Sequence, residues 1–131
     1  MRELKVHSNQ QVELIDITSE IGRVIADAGI SDGLAILFVP HTTAAVTINE
    51  NADPDVAIDM VNGLNKLIPL QDNYRHMEGN SAAHIKSSLI GVSETILIRG
   101  GTPFLGTWQG IYFCEFDGPR QRKLQIKLIS G

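Results

Sequence analysis

Three of the four histidines in this 131-residue chain stand where an imidazole could do chemistry. His41 follows Pro40 at the end of an apolar run and is followed by Thr42, Thr43 and the small Ala44 and Ala45. A proline-histidine pair at a strand break puts the ring where a sheet opens, with room beside it. The ordinary alternative is a strand-end histidine hydrogen-bonded to backbone. His76 falls in a polar loop and His84 in the first turn of the helix after it, at spacings of 35 and 8 residues. These spacings match no HExxH pattern, and the single Cys114 excludes a paired CxxC. Three imidazoles would still hold a catalytic divalent metal, zinc or magnesium, with one position left open, provided the fold brings His41, His76 and His84 together. His7, in the N-terminal arm, reads as structural or solvent-exposed.

Gly79, Asn80 and Ser81 precede or open the helix that carries His84. Free N–H groups and the positive end of the helix dipole make such a start an anion site suited to phosphate or carboxylate. The run Asn49-Glu50-Asn51-Ala52-Asp53-Pro54-Asp55 gathers three carboxylates before another helix. Helix caps and turns explain it simply; a carboxylate site for a cation is the sharper reading. Thr107 and Gln109 flank Trp108 between Gly106 and Gly110, where missing side chains let a ligand or a second backbone approach. An amphipathic strand with Trp108 in the core explains the same residues. Cys114 reads as buried filler. No GxSxG, P-loop or GxGxxG motif occurs.

The elements that must position these groups alternate in period. Gln11 to Ile17 is extended in character, and Thr18 caps a helix with Ile21, Val24, Ile25 and Ala28 on one face and Gly29 at its end. Leu34 to Val39 reads as a buried strand, broken by Pro40 before Thr42 to Ile48 resumes. Asp53-Pro54 starts a helix whose apolar stripe is Ala57, Met60, Val61, Leu64, Leu67 and Ile68. A loop from Gln71 to Gly79 leads to a helix from about Ser81 to Ile90, with Ala82, Ile85 and Leu89 as its apolar face. Ser93 to Arg99, Thr107 to Phe116 and a last strand with Leu124, Ile126 and Leu128 complete the chain, turning at Gly100-Gly101 and Asp117-Gly118-Pro119. The pattern is α+β: about three helices packed on antiparallel sheet, in one domain spanning 1–131.

Composition narrows the function classes. Eleven Lys and Arg against fifteen Asp and Glu give a net charge of −4, and the only basic cluster is Arg120, Arg122, Lys123 and Lys127. That is the solvated face of a last strand more readily than a phosphate-neutralising stripe, so nucleic acid is not the expected partner. No apolar run approaches the roughly 18 residues of a membrane span, and Met1-Arg2-Glu3 lacks a signal-peptide core. A cytoplasmic protein with no membrane partner is the expectation. A (β/α)₈ barrel needs about 250 residues and is excluded by length.

Four colinear motifs carry a family resemblance across nearly the whole chain: Pro40 to Ala44, Asn49 to Pro54, Gly79 to Lys86 and Leu105 to Ile111, closed by Glu115 to Arg120. Together they resemble the YjbQ-like family, described as secondary thiamine-phosphate synthase-like. The resemblance implies a β-sandwich core, assembly as a homotrimer, and a weak activity joining hydroxymethylpyrimidine diphosphate to thiazole phosphate. It marks His41, Asn49, Glu50, His76, His84, Thr107 and Gln109 as candidates. Combined with the residue chemistry, it puts a phosphate at Gly79, Asn80 and Ser81, its charge compensated by Lys86 or Arg120. His41 or His84 would act as acid, base or metal ligand, Glu50 as base or ligand, and Gln109 beside them. The expected ligand is a small phosphorylated or anionic molecule; a metal- or anion-binding module or a zinc-dependent hydrolase is the competing expectation.

Overall fold

The computed structural model describes residues 1–131. The chain order is β1 (Arg2–His7), β2 (Glu13–Asp16), α1 (Thr18–Ala28), β3 (Asp32–Phe38), β4 (Ala44–Glu50), α2 (Pro54–Leu67), α3 (Ser81–Ile90), β5 (Ser93–Arg99), β6 (Thr102–Pro103), β7 (Gln109–Glu115) and β8 (Gln121–Ser130). The strands form two sheets, a five-stranded one ordered β1-β8-β3-β5-β6 and a three-stranded one ordered β2-β7-β4. Every pairing is antiparallel. The expected α+β class, sandwich core and three helices are therefore observed.

Alternation builds the core. Ala35 and Leu37, Ile96 and Ile98, and Leu124 and Ile126 point inward from the larger sheet and meet Ala44, Val46, Ile111 and Phe113 from the smaller. Ile21 and Ile25, one turn apart on α1, join this core with no exposed surface, so each contributes about 1.5–3 kcal/mol of burial. α1 ends as expected at Gly29, whose φ of 69° is the left-handed conformation a helix C-terminus favours. Its start differs from expectation. Ile17 holds the cap position, and the Thr18 hydroxyl instead accepts the Ile111 N–H of β7 at 2.9 Å.

β7 is buried on both faces. Its second face, with Cys114 and then Phe116, packs with Val12, Ala45 and Ala83, supported by Val61 and Leu64 of α2. Asp53 caps α2 by accepting the Asp55 N–H at 2.9 Å, with Pro54 opening the helix. The expected stripe is only half covered: no residue within α2 is fully buried, and Leu67 is 70% exposed. On α3 the buried face is Ala82, Ala83, Lys86 and Ser87, while Ile85 and Leu89 face outward. This overturns the expected Ala82-Ile85-Leu89 face. Small residues win the contact because they let α3 approach β4 closely, with Ala83 packed in one cluster with Ala45.

Two further segments differ from expectation. Arg2–His7 is a strand pairing with β8, where the sequence reads as an arm. Trp108 is not in the core but 63% exposed. The Gln109 N–H bonds Gly106 O at 3.1 Å, so these residues form a turn and the strand starts only at Gln109. No helix is long and apolar enough to cross a membrane.

Candidate functional site

A cleft of about 900 Å³ opens where three segments meet. Residues Pro40–Thr43 cross from β3 in one sheet to β4 in the other, carrying His41. α3 supplies His84, Ser87 and Ser88 along one side, the β7–β8 turn supplies Arg120, and the start of β8 supplies Arg122. The two histidines best placed by sequence thus line one cleft, 43 residues apart in the chain.

The His41 ring is fixed by the Lys123 backbone N–H, which donates to its Nε2 at 2.9 Å. Burial, and then the positive charge of Arg122, hold its pKa below the ordinary histidine value. His41 is therefore a neutral imidazole at physiological pH. Behind it lies a network the sequence reading missed. Arg122, 3% exposed, donates from Nε to Glu115 Oε1 at 2.9 Å and from Nη2 to Glu115 Oε2 at 2.5 Å. Nη2 also donates to Thr43 Oγ1 at 2.8 Å and to Thr43 O at 3.1 Å. Glu115, with no exposed surface, accepts further bonds from Ser8 Oγ at 2.7 Å and Asp117 N–H at 2.9 Å. Burial alone would raise the Glu115 carboxyl, but these hydrogen bonds and the Arg122 charge outweigh it and leave it below the usual carboxylate range.

The basic cluster of the last strand is thereby split. Lys123 and Lys127 point to solvent, Arg120 pairs with Asp117 at 3.1 Å, and Arg122 turns into the protein. A signal was present: Arg122 shares the period-two parity of Leu124 and Ile126, which puts an arginine on the apolar face.

The remaining candidates are placed differently. His76 and His84 lie edge to face with ring centroids 5.6 Å apart, and Glu78 approaches His76 at 3.7 Å. His84 lines the cleft and also a shallow surface hollow with Tyr74, His76 and Ser81. No three His, Cys, Asp or Glu side chains of the chain are arranged to hold a metal ion. His41 Nε2 is moreover already engaged, so His41, His76 and His84 do not fit a three-histidine metal site within one chain. At the start of α3, Gly79 adopts a φ of 82° and Asn80 donates its side-chain amide to Glu78 at 3.0 Å and Asp117 at 2.9 Å. Two carboxylates thus already face the helix start where a phosphate was expected. Lys86 does not reach that start. It is fully buried, its amine bonds Asn65 of α2, and burial lowers its pKa.

Asn49, Glu50, Thr107 and Gln109 lie at the opposite end of the smaller sheet. Glu50 pairs with Gln109 and Asn49 with Gly110. Six residue steps of β4 separate Ala44, beside the cleft, from Glu50, or about 20 Å. Gln109 Oε1 is taken up by the Gly106 N–H at 2.8 Å. Asn51 stacks over Gly110, and its amide donates to Asp16 at 3.1 Å. Within one chain the four expected catalytic side chains therefore divide into His41 with His84 at one end and Glu50 with Gln109 at the other.

The profile of the family described as UPF0047 protein YjbQ-like matches residues 2–131. The UPF0047 protein of Methanocaldococcus jannaschii is 55% identical over 96% of this chain and 91% of its own length. UPF0047 protein YugU of Bacillus subtilis is 48% identical over 99% of each chain. Among solved structures, an uncharacterized YjbQ/UPF0047 protein from Clostridium acetobutylicum superposes with a TM-score of 0.96, at 51% identity over 98% of this chain and 100% of that one. A YbjQ-like protein of unknown function from Sulfolobus solfataricus reaches a TM-score of 0.94 at 28% identity, over 99% of this chain and 96% of that one.

Proposed function

This chain belongs to the UPF0047 family of YjbQ-like proteins, and on that premise we propose that its cleft binds a small phosphorylated anion for group transfer. One observation carries the reading. The cleft is lined by His41, His84, Arg120, Arg122 and the hydroxyls of Thr42, Thr43 and Ser88, with the Ser87 hydroxyl spent on the Ala44 carbonyl, and by no carboxylate, in a chain whose net charge is −4. Such a lining offers hydrogen-bond donors to an oxyanion and nothing that repels it.

The reaction that fits is the one the resemblance implies, the union of hydroxymethylpyrimidine diphosphate with thiazole phosphate. In that reaction a carbon–nitrogen bond forms as the carbon–oxygen bond to diphosphate breaks, and negative charge gathers on the departing group. Fixed donors aimed at the leaving oxygens lower that barrier without moving. Arg120 and Arg122 serve this role, and His84, whose ring makes no hydrogen bond in the chain, supplies a proton to the departing diphosphate oxygen. Exposed Leu97, Phe104 and Ile129 support assembly into a homotrimer, which light scattering would report as a threefold mass.

The test is direct. Purified protein is given both substrates and thiamine phosphate is measured by fluorescence after oxidation. We expect product at a rate that His84→Ala lowers by about 100-fold, the loss typical for removal of a general acid or base. No product above background, together with no binding of inorganic pyrophosphate, would sink the reading.

A further inference from the structure

The β3–β4 crossing and the start of β8 are joined twice. The Lys123 N–H donates to His41 Nε2, and the neighbouring Arg122 donates to Thr43, two residues beyond His41. These two links fix which polar atoms of His41 and Arg122 are left uncommitted. A nitrogen that accepts an N–H bond cannot itself carry a proton, and a neutral imidazole carries one N–H. The proton of His41 therefore resides on Nδ1, an atom with no hydrogen-bond partner in the chain, in a ring that lines the cleft. Arg122 is constrained in the same way. Its Nε and Nη2 are consumed by Glu115 and Thr43, while Nη1 donates to nothing in the chain.

We infer that His41 Nδ1–H and Arg122 Nη1 form a donor-only clamp for one oxyanion of the ligand, with buried Glu115 as the residue that positions Arg122 in it. This rests on the reading that the cleft takes an anionic group, and it adds what that group must be. Neither clamp atom can accept a hydrogen bond. The ligand atom there must therefore be an acceptor, and a deprotonated phosphate or carboxylate oxygen, which accepts from both donors with charge assistance, fits best; an N–H at that point leaves the donors unmatched. The Arg122–Glu115 pair is neutral as a unit, so the clamp selects by aimed donors rather than by excess charge. His41 is also removed from two expected roles: its free nitrogen already holds a proton, so it is neither general base nor metal ligand. Proton transfer falls to His84.

The charged groups that face His41 are Arg122, Glu115 and Arg120. The two arginines disfavour a protonated ring, and Glu115 opposes them while already paired with Arg122. His41 should thus keep its Nδ1–H form under conditions where a free histidine is half protonated.

Two measurements on the full-length protein test the clamp. Long-range proton–nitrogen spectra of the histidine side chains should show His41 as the Nδ1–H tautomer at pH near 6.5, the ordinary histidine value. An Nε2–H tautomer or ordinary titration overturns the inference. Binding of inorganic phosphate, followed by calorimetry, should weaken about tenfold in His41→Phe and stay within about threefold of the parent in His41→Asn, whose amide restores a donor at the Nδ1 position. Glu115→Gln should weaken phosphate to a similar extent while the His41 tautomer stays unchanged. Phosphate binding that ignores His41→Phe overturns the clamp and leaves the anion cleft standing. No phosphate binding by the parent protein overturns both.

Discussion

Arg122 and Glu115 form a two-point ion pair inside the sandwich, with Nε–Oε1 at 2.9 Å and Nη2–Oε2 at 2.5 Å and neither side chain more than 3% exposed. Two charges taken out of water hold each other at a high desolvation cost, so removing one leaves the other stranded. Glu115→Ala should destabilise the protein by about 3–5 kcal/mol in denaturant titration. The double variant Glu115→Leu/Arg122→Met removes both charges and should recover most of that loss, while losing anion binding. A double variant as unstable as the single would show that packing, not charge, sets the cost.

The same pair and His41 fix the direction of the pH dependence. Glu115 has a native pKa below its unfolded value, so its contribution is complete above about 4.3 and is lost as pH falls further toward the native value. His41 is also depressed, so the unfolded state takes up its proton first as pH falls below about 6.5. From these two groups, stability should be level just above neutrality and decline in two steps toward acid. His41→Asn should abolish the upper step. Stability that rises as the medium is acidified from pH 8 to 6 would contradict the His41 assignment, and stability that rises as pH falls below about 4.3 would contradict that of Glu115.

How much of this was legible in sequence depends on how local the cause is. Asp53 and Pro54 start α2, and Gly29 ends α1, because each satisfies a backbone requirement within a few residues of itself. Gly100 and Gly101, with φ of 62° and 78°, turn β5 into β6 for the same reason. The buried network is different. Ser8 meets Glu115 across 107 residues and Thr43 meets Arg122 across 79, and no local pattern specifies either partner. Trp108, Ile85 and Leu89 are exposed although their apolar spacing matches a buried face, because apolar spacing alone does not specify burial. On α3 the small Ala82, Ala83 and Ser87 make the contact, and Trp108 stands in a turn before its strand begins.

Gly118 follows from close approach. A Cβ added there would lie 2.7 Å from Ser8 Oγ and 2.8 Å from Glu115 Cγ, and would overlap the Gln10 carbonyl. Backbone cannot yield cheaply, and the Ser8–Glu115 bond would have to open. Gly118→Ala should cost about 1–3 kcal/mol, typical of overpacking, and should weaken phosphate binding through Arg122. A variant as stable as the parent in thermal melts would mean the turn relaxes freely.

Lys86 invites the opposite substitution. Its amine is fully buried with the Asn65 side chain as its one partner, and burial lowers its pKa, so the charged form is penalised below the unfolded value of about 10.4. Lys86→Met keeps the length of the side chain and removes the charge. The variant should be at least as stable as the parent at neutral pH and should bind phosphate unchanged. A clear loss of phosphate binding would restore Lys86 to the site.

Glu50 and Gln109 separate binding from whatever the far end of the smaller sheet does. They sit about 20 Å along β4 from the cleft, and Gln109 is occupied by its own turn through Gly106. At that separation two exposed groups interact across roughly two Debye lengths of physiological salt, and their charge is screened from the clamp. Glu50→Gln and Gln109→Ala should therefore leave phosphate affinity within about twofold of the parent, while His41→Phe weakens it about tenfold. Tyr112 gives an independent reading of the far end. Its hydroxyl donates to Glu50 O at 3.0 Å, and burial, followed by the nearby Asp16 and Glu50 charges, raises its pKa. Glu50→Gln removes one of those charges, so the Tyr112 titration followed by ultraviolet absorbance should move down toward the ordinary tyrosine value while phosphate affinity stays fixed. If Glu50→Gln instead weakens phosphate as much as His41→Phe does, the two ends act on one ligand, which a single chain cannot accomplish and only a second copy of the chain could.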